Sequence, residues 1–163
     1  MKINIALLQQ EAGACQSFHF VSSIDTIDEH KTVNWIDGNI EVKGEVCNSG
    51  SCLVVSGEIR CQAKRSCNRC LKEFLAPVVA PFSENWKKDT SDSEVVSYQG
   101  DELDISELVR ETLVLAEPLK SLCTPECRGL CPQCGIDLNQ EKCNCVRDEI
   151  DPRFAALQKL LTK

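Results

Sequence analysis

Histidine is nearly missing from this chain, which has only His19 and His30. It also contains no H-E-x-x-H, no G-x-S-x-G and no glycine-rich phosphate loop, so the common hydrolytic and nucleotide-handling constellations have no residues to work with. Aromatic residues make up 5% of the sequence. Rings this sparse fill interiors, so Trp35, Phe18 and Phe20 read as core residues and not as a base-stacking platform. Positive charge is in deficit, with 18 Lys and Arg against 25 Asp and Glu and a net charge of −7. That balance argues against tight, nonspecific nucleic-acid binding by the whole surface and leaves room only for a local basic patch. No apolar run approaches membrane-spanning length, and the opening MKINIALLQQ, an amphipathic run broken by Asn and Gln, does not read as a secretory signal. The expectation is a soluble cytoplasmic protein of 163 residues, one domain or one domain with a small metal-bound appendage.

What the chain has in excess is cysteine, twelve in all. Six fall between Cys123 and Cys145, in CTPECRGLCPQCGIDLNQEKCNC, around a Cys131-Pro-Gln-Cys134-Gly core that reads as a zinc knuckle. Two thiolates one turn apart can reach one tetrahedral metal, and Gly135 lets the backbone fold back towards the sulfurs. A disulfide framework is the rival; it needs an oxidising compartment, which nothing in the sequence indicates, so metal is preferred. Eight cysteines form four close pairs: Cys67/Cys70, Cys123/Cys127, Cys131/Cys134 and Cys143/Cys145. Zinc takes four thiolates, so eight make two sites. Cys131, Cys134, Cys143 and Cys145 can close locally across Gly135 to Lys142. Cys67, Cys70, Cys123 and Cys127 would then form a long-range site. The alternative is a single zinc within 123–145, with Cys67 and Cys70 as free thiols. Cys15, Cys47, Cys52 and Cys61 stand alone, and the last two, in apolar strand contexts, read as core thiols.

The segment from Cys61 to Phe74, CQAKRSCNRCLKEF, is the basic stretch of an acidic chain: Lys64, Arg65, Arg69 and Lys72 surround Cys67 and Cys70 with no acid before Glu73. These four cations are candidates for phosphate contacts held rigid by a metal. They equally suit the plain role of offsetting metal-bound thiolates. A thioredoxin-like redox pair at Cys67/Cys70 is the remaining reading, although such a pair normally opens a helix in an alternating strand-and-helix chain.

The periodicity predicts an α+β fold: an antiparallel β-rich meander or partial barrel with two helices and a C-terminal zinc-knuckle loop. Ile3, Ile5 and Leu7 alternate with polar or small residues. Val33–Ile36 and Ile40–Lys43 flank Asp37-Gly38-Asn39, a hairpin-turn signal. Leu53, Val55, Gly57, Ile59 and Cys61 share one face of a central strand. Phe74 to Phe82 carries Pro77 and Pro81, so it reads as an edge strand or arm. Residues 87–93 read as a loop and Val95–Tyr98 as a further short strand. Ile105, Leu108, Val109, Thr112, Leu113 and Ala116 form a helical stripe with Asp104 as N-cap, ended by Pro118. The nearby acids Asp101, Glu102, Asp104, Glu107 and Glu111 read as helix-start residues, not as a carboxylate site. A second helix should follow Asp151-Pro152 to about Leu161, burying Phe154, Leu157, Leu160 and Leu161. Residues 1–120 form a strand-rich part and 121–163 the cysteine cluster with its helix, packed as one domain.

Taken together, Cys67-x-Arg69-Cys70-Leu71, the Asp104-Ile105 helix leading to Pro118-Leu119, the cluster with Gly129, Leu130, Pro132, Gly135, Leu138 and Asn139, and Ile150-Asp-Pro-Arg153 resemble the YceD family. Its members are bacterial and plastid proteins implicated in large-subunit ribosomal RNA accumulation. The resemblance runs from about Leu53 to the end; Glu117 replaces the usual apolar residue before Pro118, and the first fifty residues carry no matching motif. It implies a non-enzymatic ribosome-biogenesis factor that binds ribosomal RNA or a ribosomal protein of the large subunit. The alternative is a thiol–disulfide redox protein using Cys67 and Cys70.

Overall fold

The computed structural model of the chain describes residues 1–28, 32–88 and 96–145. Its elements are β1 (Lys2–Asn4), β2 (Cys15–Ser23), β3 (Ile36–Asn48), β4 (Leu53–Ser66), β5 (Glu73–Lys88), β6 (Val96–Tyr98), β7 (Glu102–Asp104) and α1 (Ser106–Leu115). β2 to β6 form one five-stranded sheet in sequence order, and β1 pairs with β7 in a second, two-stranded sheet. Every pairing is antiparallel except β5 with β6. The large sheet is open and not a closed barrel: β2 to β5 run as an antiparallel meander, and β6 adds to it in parallel. Among the described residues there is one α-helix; the expected second helix, after Asp151, lies outside them.

Alternation in β4 decides which face is inside. Leu53, Val55, Ile59, Cys61 and Ala63 are buried, as the period-two pattern requires, and Arg60, Gln62 and Lys64 face out. Ile40, Val42 and Val46 of β3 and Val78, Ala80, Phe82 and Trp86 of β5 extend the same apolar surface. It is closed by Ile3 and Ile5 near β1, Leu103 of β7, and Ile105, Val109 and Leu113 along one side of α1. Phe18, Phe20 and Trp35 pack half-buried against this core. Asp104 does the work of a helix cap from two positions before α1: its carboxylate accepts the Ser106 N–H at 3.0 Å. Three other acids of this region are engaged too, Asp101 with Gln9, Glu102 with Lys2 and Glu107 with Arg110.

Four expectations need correction. Asp37-Gly38-Asn39 does not turn the chain. It lies inside β3, where the register against β4 shifts by two residues between Asp37 and Glu41, and the chain takes up this excess as a bulge with Gly38 at φ +80°. Turn-type residues were thus spent on bending one strand, not on joining two. Leu7, placed in the first strand by its alternation, is 79% exposed and precedes a short 3-10 turn at Leu8–Gln10. Cys15 and Cys47 are not solitary: they stand opposite each other in the β2/β3 register and form a disulfide, Cα to Cα 4.1 Å. A strand register is invisible in cysteine spacing, and a reducing compartment would hold this pair as thiols. Cys61 is buried as expected, but Cys52 is half-exposed at the β3–β4 turn, its sulfur 3.2 Å from the Ser49 hydroxyl.

β5 pairs with β4 along fourteen residues, Glu73 to Trp86, but meets β6 only from Trp86 to Lys88. Its other margin is therefore open among the described residues for most of its length, in keeping with the edge-strand expectation from Pro77 and Pro81. No described helix is long and apolar enough to cross a membrane.

Two candidate metal centres

β4 ends at Ser66, and the chain immediately makes a knuckle: the Leu71 N–H bonds the Cys67 carbonyl at 2.9 Å, and the Cys67 N–H bonds the Lys72 carbonyl at 2.9 Å. This aims both sulfurs to the same side before β5 begins. The two residues between the cysteines carry the next step. Asn68 clasps Ser121 twice, its N–H on the Ser121 carbonyl at 2.8 Å and its Oδ1 accepting the Ser121 N–H at 2.7 Å. Arg69 accepts the Leu130 N–H on its carbonyl at 3.0 Å and donates its guanidinium to the Cys127 carbonyl at 2.6 Å. The segment containing Cys123 and Cys127 is thereby laid across the first knuckle.

The sulfurs of Cys67, Cys70, Cys123 and Cys127 all lie within 4.8 Å of one another, and those of Cys131, Cys134, Cys143 and Cys145 form a second such group. These are the two sets expected from the spacing. Cys67 and Cys127 are 3.7 Å apart and Cys70 and Cys123 3.6 Å, sulfur to sulfur. A tetrahedron of thiolates around one ion with bonds of about 2.3 Å has edges of ~3.8 Å, so the first group matches the size of such a site. Either cluster could hold a metal ion.

The two differ in their surroundings. Cys67, Cys70 and Cys127 are buried and form a small apolar core of their own with Phe74, Leu122 and Leu130 against them. In the second cluster Cys131 is buried, Cys143 and Cys145 are half-buried and Cys134 is exposed. The second knuckle repeats the first: Gly135 N–H on the Cys131 carbonyl at 2.9 Å, and Cys131 N–H on the Ile136 carbonyl at 2.8 Å.

Proton affinities within each cluster are pushed apart. Burial works against ionising Cys67, yet the N–H groups of Cys123, Cys70 and Arg69 together with the Cys70 thiol outweigh it and bring the pKa down to about 6. The Lys72 N–H favours ionised Cys70, but burial and the thiols of Cys123, Cys67 and Cys127 push it up to about 12. Burial raises Cys123 as well. The same division appears at the second centre. The Cys134 and Gln133 N–H groups lower Cys131 to about 6, and the Cys134 thiol together with burial raises Cys145 to about 12. Each cluster thus sets one readily ionised thiol, Cys67 or Cys131, beside one that resists ionisation, Cys70 or Cys145, and a divalent ion would displace the retained proton.

The four basic candidates are mostly engaged inside the molecule. Lys64 pairs with Glu73 at 3.2 Å on the surface. Arg65 stacks on Trp35, 5.3 Å from the ring centroid, and reaches the Ser121 hydroxyl at 3.3 Å, and its Nε is buried without a partner. Arg69 braces Cys127 as described. Lys72 is exposed on the knuckle. The importance of Asn68, Ser121 and Asn139 was not read from the sequence. Asn139 did lie within the matched motif, but nothing in a spacing says that it reaches a sulfur.

Compared with known proteins, the chain matches the model of the family described as "Large ribosomal RNA subunit accumulation protein YceD" over residues 55–161, a span that holds all eight paired cysteines. An uncharacterized protein of Mycobacterium tuberculosis (strain H37Rv) is 26% identical over 176 residues, covering 99% of this chain and 81% of that protein. The uncharacterized protein YlbN of Bacillus subtilis is 30% identical over 118 residues, 67% of this chain and 64% of that one. Large ribosomal RNA subunit accumulation protein YCED homolog 1, chloroplastic, of Arabidopsis thaliana is 37% identical over 59 residues, 36% of this chain and 18% of that one. No solved structure matches the chain.

Proposed function

The chain belongs to the YceD family, and from that premise we propose that it is a cytoplasmic, non-enzymatic factor supporting large-subunit ribosomal RNA accumulation, built around two structural zinc sites. The observation that carries this reading is the pair of all-thiolate clusters. Four sulfurs around one ion suit zinc and fill every tetrahedral position, which leaves none open for a substrate. A redox role for Cys67 and Cys70 fits less well, because both sulfurs are boxed in by Cys123 and Cys127. The long-range centre also ties the end of β4 to the segment after α1, which supports treating 1–120 and 121–163 as one domain.

For the partner we favour ribosomal RNA, met at the first centre. Lys64 to Lys72 holds four cations and no acid in a chain of net charge −7. Lys64 and Lys72 are the contact candidates, since the ion pair of Lys64 with Glu73 is exposed and weak. Arg65 and Arg69 belong to the support of the site. Reversing them would damage the knuckle's bracing, so they make poor reporters of RNA contact.

Co-sedimentation of the zinc-loaded protein with large-subunit particles tests this. Association should weaken with added salt and fall further in Lys64→Glu/Lys72→Glu, with thermal stability unchanged. Association that ignores both salt and the reversal would displace RNA in favour of a ribosomal protein.

A further inference from the structure

The two centres are joined by one short link, Cys127-Arg-Gly-Leu-Cys131, whose first residue is a ligand candidate of one cluster and whose last is a ligand candidate of the other. Residues from both sides grip it. Asn139, in the loop between Cys134 and Cys143, donates from Nδ2 to the Cys127 sulfur at 3.5 Å and accepts the Arg128 N–H on Oδ1 at 2.8 Å. It is itself fixed by the Asp137 carboxylate, which accepts its backbone N–H at 2.9 Å and its side-chain amide at 2.7 Å. The Leu138 N–H adds a bond to the Gly129 carbonyl at 2.9 Å. From the opposite side Arg69 holds Leu130 and Cys127, and Gly129 lies so close that a Cβ there would sit 2.8 Å from the Arg69 carbonyl oxygen.

An N–H donated to a ligating thiolate orients it and tempers its charge, and loss of such a support typically costs 10–100-fold in metal affinity. Here the donor to a sulfur of the first centre is carried by the loop of the second. We propose that Asn139 is a positioning residue that couples the two centres, so that an ion held by Cys131, Cys134, Cys143 and Cys145 fixes the loop against Cys127 and the two ions load cooperatively. By thermodynamic reciprocity the first ion favours the second to the same degree. The inference rests on reading the clusters as metal centres, and its test separates the two ideas.

The full-length protein, reduced and freed of metal, is titrated with zinc and followed by native mass spectrometry. At one equivalent, the wild type should show mainly the zinc-free and two-zinc species. Asn139→Ala should still reach two zinc at saturation but pass through a dominant one-zinc species. Its affinity at the first centre, read by competition with a chromogenic chelator, should fall by about tenfold or more. Asn139→Asp keeps an acceptor for the Arg128 N–H but cannot donate to sulfur, and should behave like Asn139→Ala. Cys143→Ser/Cys145→Ser should weaken the first centre by a similar factor. A wild type that fills stepwise, a first-centre affinity unchanged in these variants, or an Asn139→Asp that loads like the wild type would overturn the coupling with the zinc reading intact. A wild type that binds no zinc would overturn both.

Discussion

The two Cys-x-x-Cys knuckles have the same hydrogen bonds and opposite settings. In each, the residue after the second cysteine bonds back to the first, and the first cysteine's N–H reaches five residues ahead. One knuckle links two long strands and draws its second cysteine pair from more than fifty residues away, inside a buried pocket. The other closes on a pair that follows after eight intervening residues, at the surface, with Cys134 exposed. The difference teaches that an identical local motif can be part of the tertiary fold or a self-contained clip, depending on where its partners come from.

The largest effect should come from deleting one centre at a time at saturating zinc. Cys67→Ser/Cys70→Ser should reduce bound zinc from two to one and lower stability by several kcal/mol, because a buried cross-link is lost. Cys143→Ser/Cys145→Ser should also bind one zinc, but lower stability by only about 1–2 kcal/mol, the linkage cost of a first centre weakened about tenfold. Equal losses in the two variants would erase the comparison.

Next comes the response to pH, where the centres should agree. Cys70 and Cys145, both held near 12, are protonated at neutral pH and must release those protons when metal binds. The sign follows: acid competes with the metal, so affinity falls as pH falls, by at least about tenfold per unit for one or more protons displaced. Zinc affinity measured at pH 6.5, 7.5 and 8.5 in each single-centre variant should give similar slopes. A flat profile at either centre would mean that its ligands are already ionised.

The smallest effect sharpens the comparison at a single position. Gly135 follows Cys134 at φ +75°, while Leu71 follows Cys70 at φ +61°, the one non-glycine residue with positive φ among the described residues. Leu71 is 67% exposed, so it gains little from burial in return. Leu71→Gly should stabilise the zinc-loaded protein by about 0.5–1 kcal/mol. Gly135→Leu should cost about 1–2 kcal/mol. Thermal unfolding reads both, and the reverse order would show that Leu71 is held by contacts outweighing its strain.

The division of the eight cysteines was legible because close pairs and a short loop leave few ways to make two groups of four. The β4 face was legible for a similar reason, since Leu53, Val55, Ile59 and Cys61 alternate without interruption. The bulge at Gly38 was hidden because Asp-Gly-Asn serves a turn and a bulge equally well. The Cys15–Cys47 bond was hidden because it depends on the register of two strands. Arg65 read as a free cation because charge is visible in a sequence, whereas the ring of Trp35 thirty residues earlier is not visibly near it. The supports of the site, Asn68 on Ser121 and Asn139 on Cys127, are side-chain contacts across folded loops and leave no periodic trace.

The open margin of β5 has a consequence for how the molecules behave in a crowd. A proline is tolerated in a paired strand where its nitrogen points away from the neighbour, so Pro77 and Pro81 turn their missing hydrogens outward. A strand arriving from another molecule would find an acceptor row with alternate donors gone along this stretch. Sheet extension from molecule to molecule has no growth front there, which protects a long, apolar strand such as FLAPVVAPF from seeding filaments.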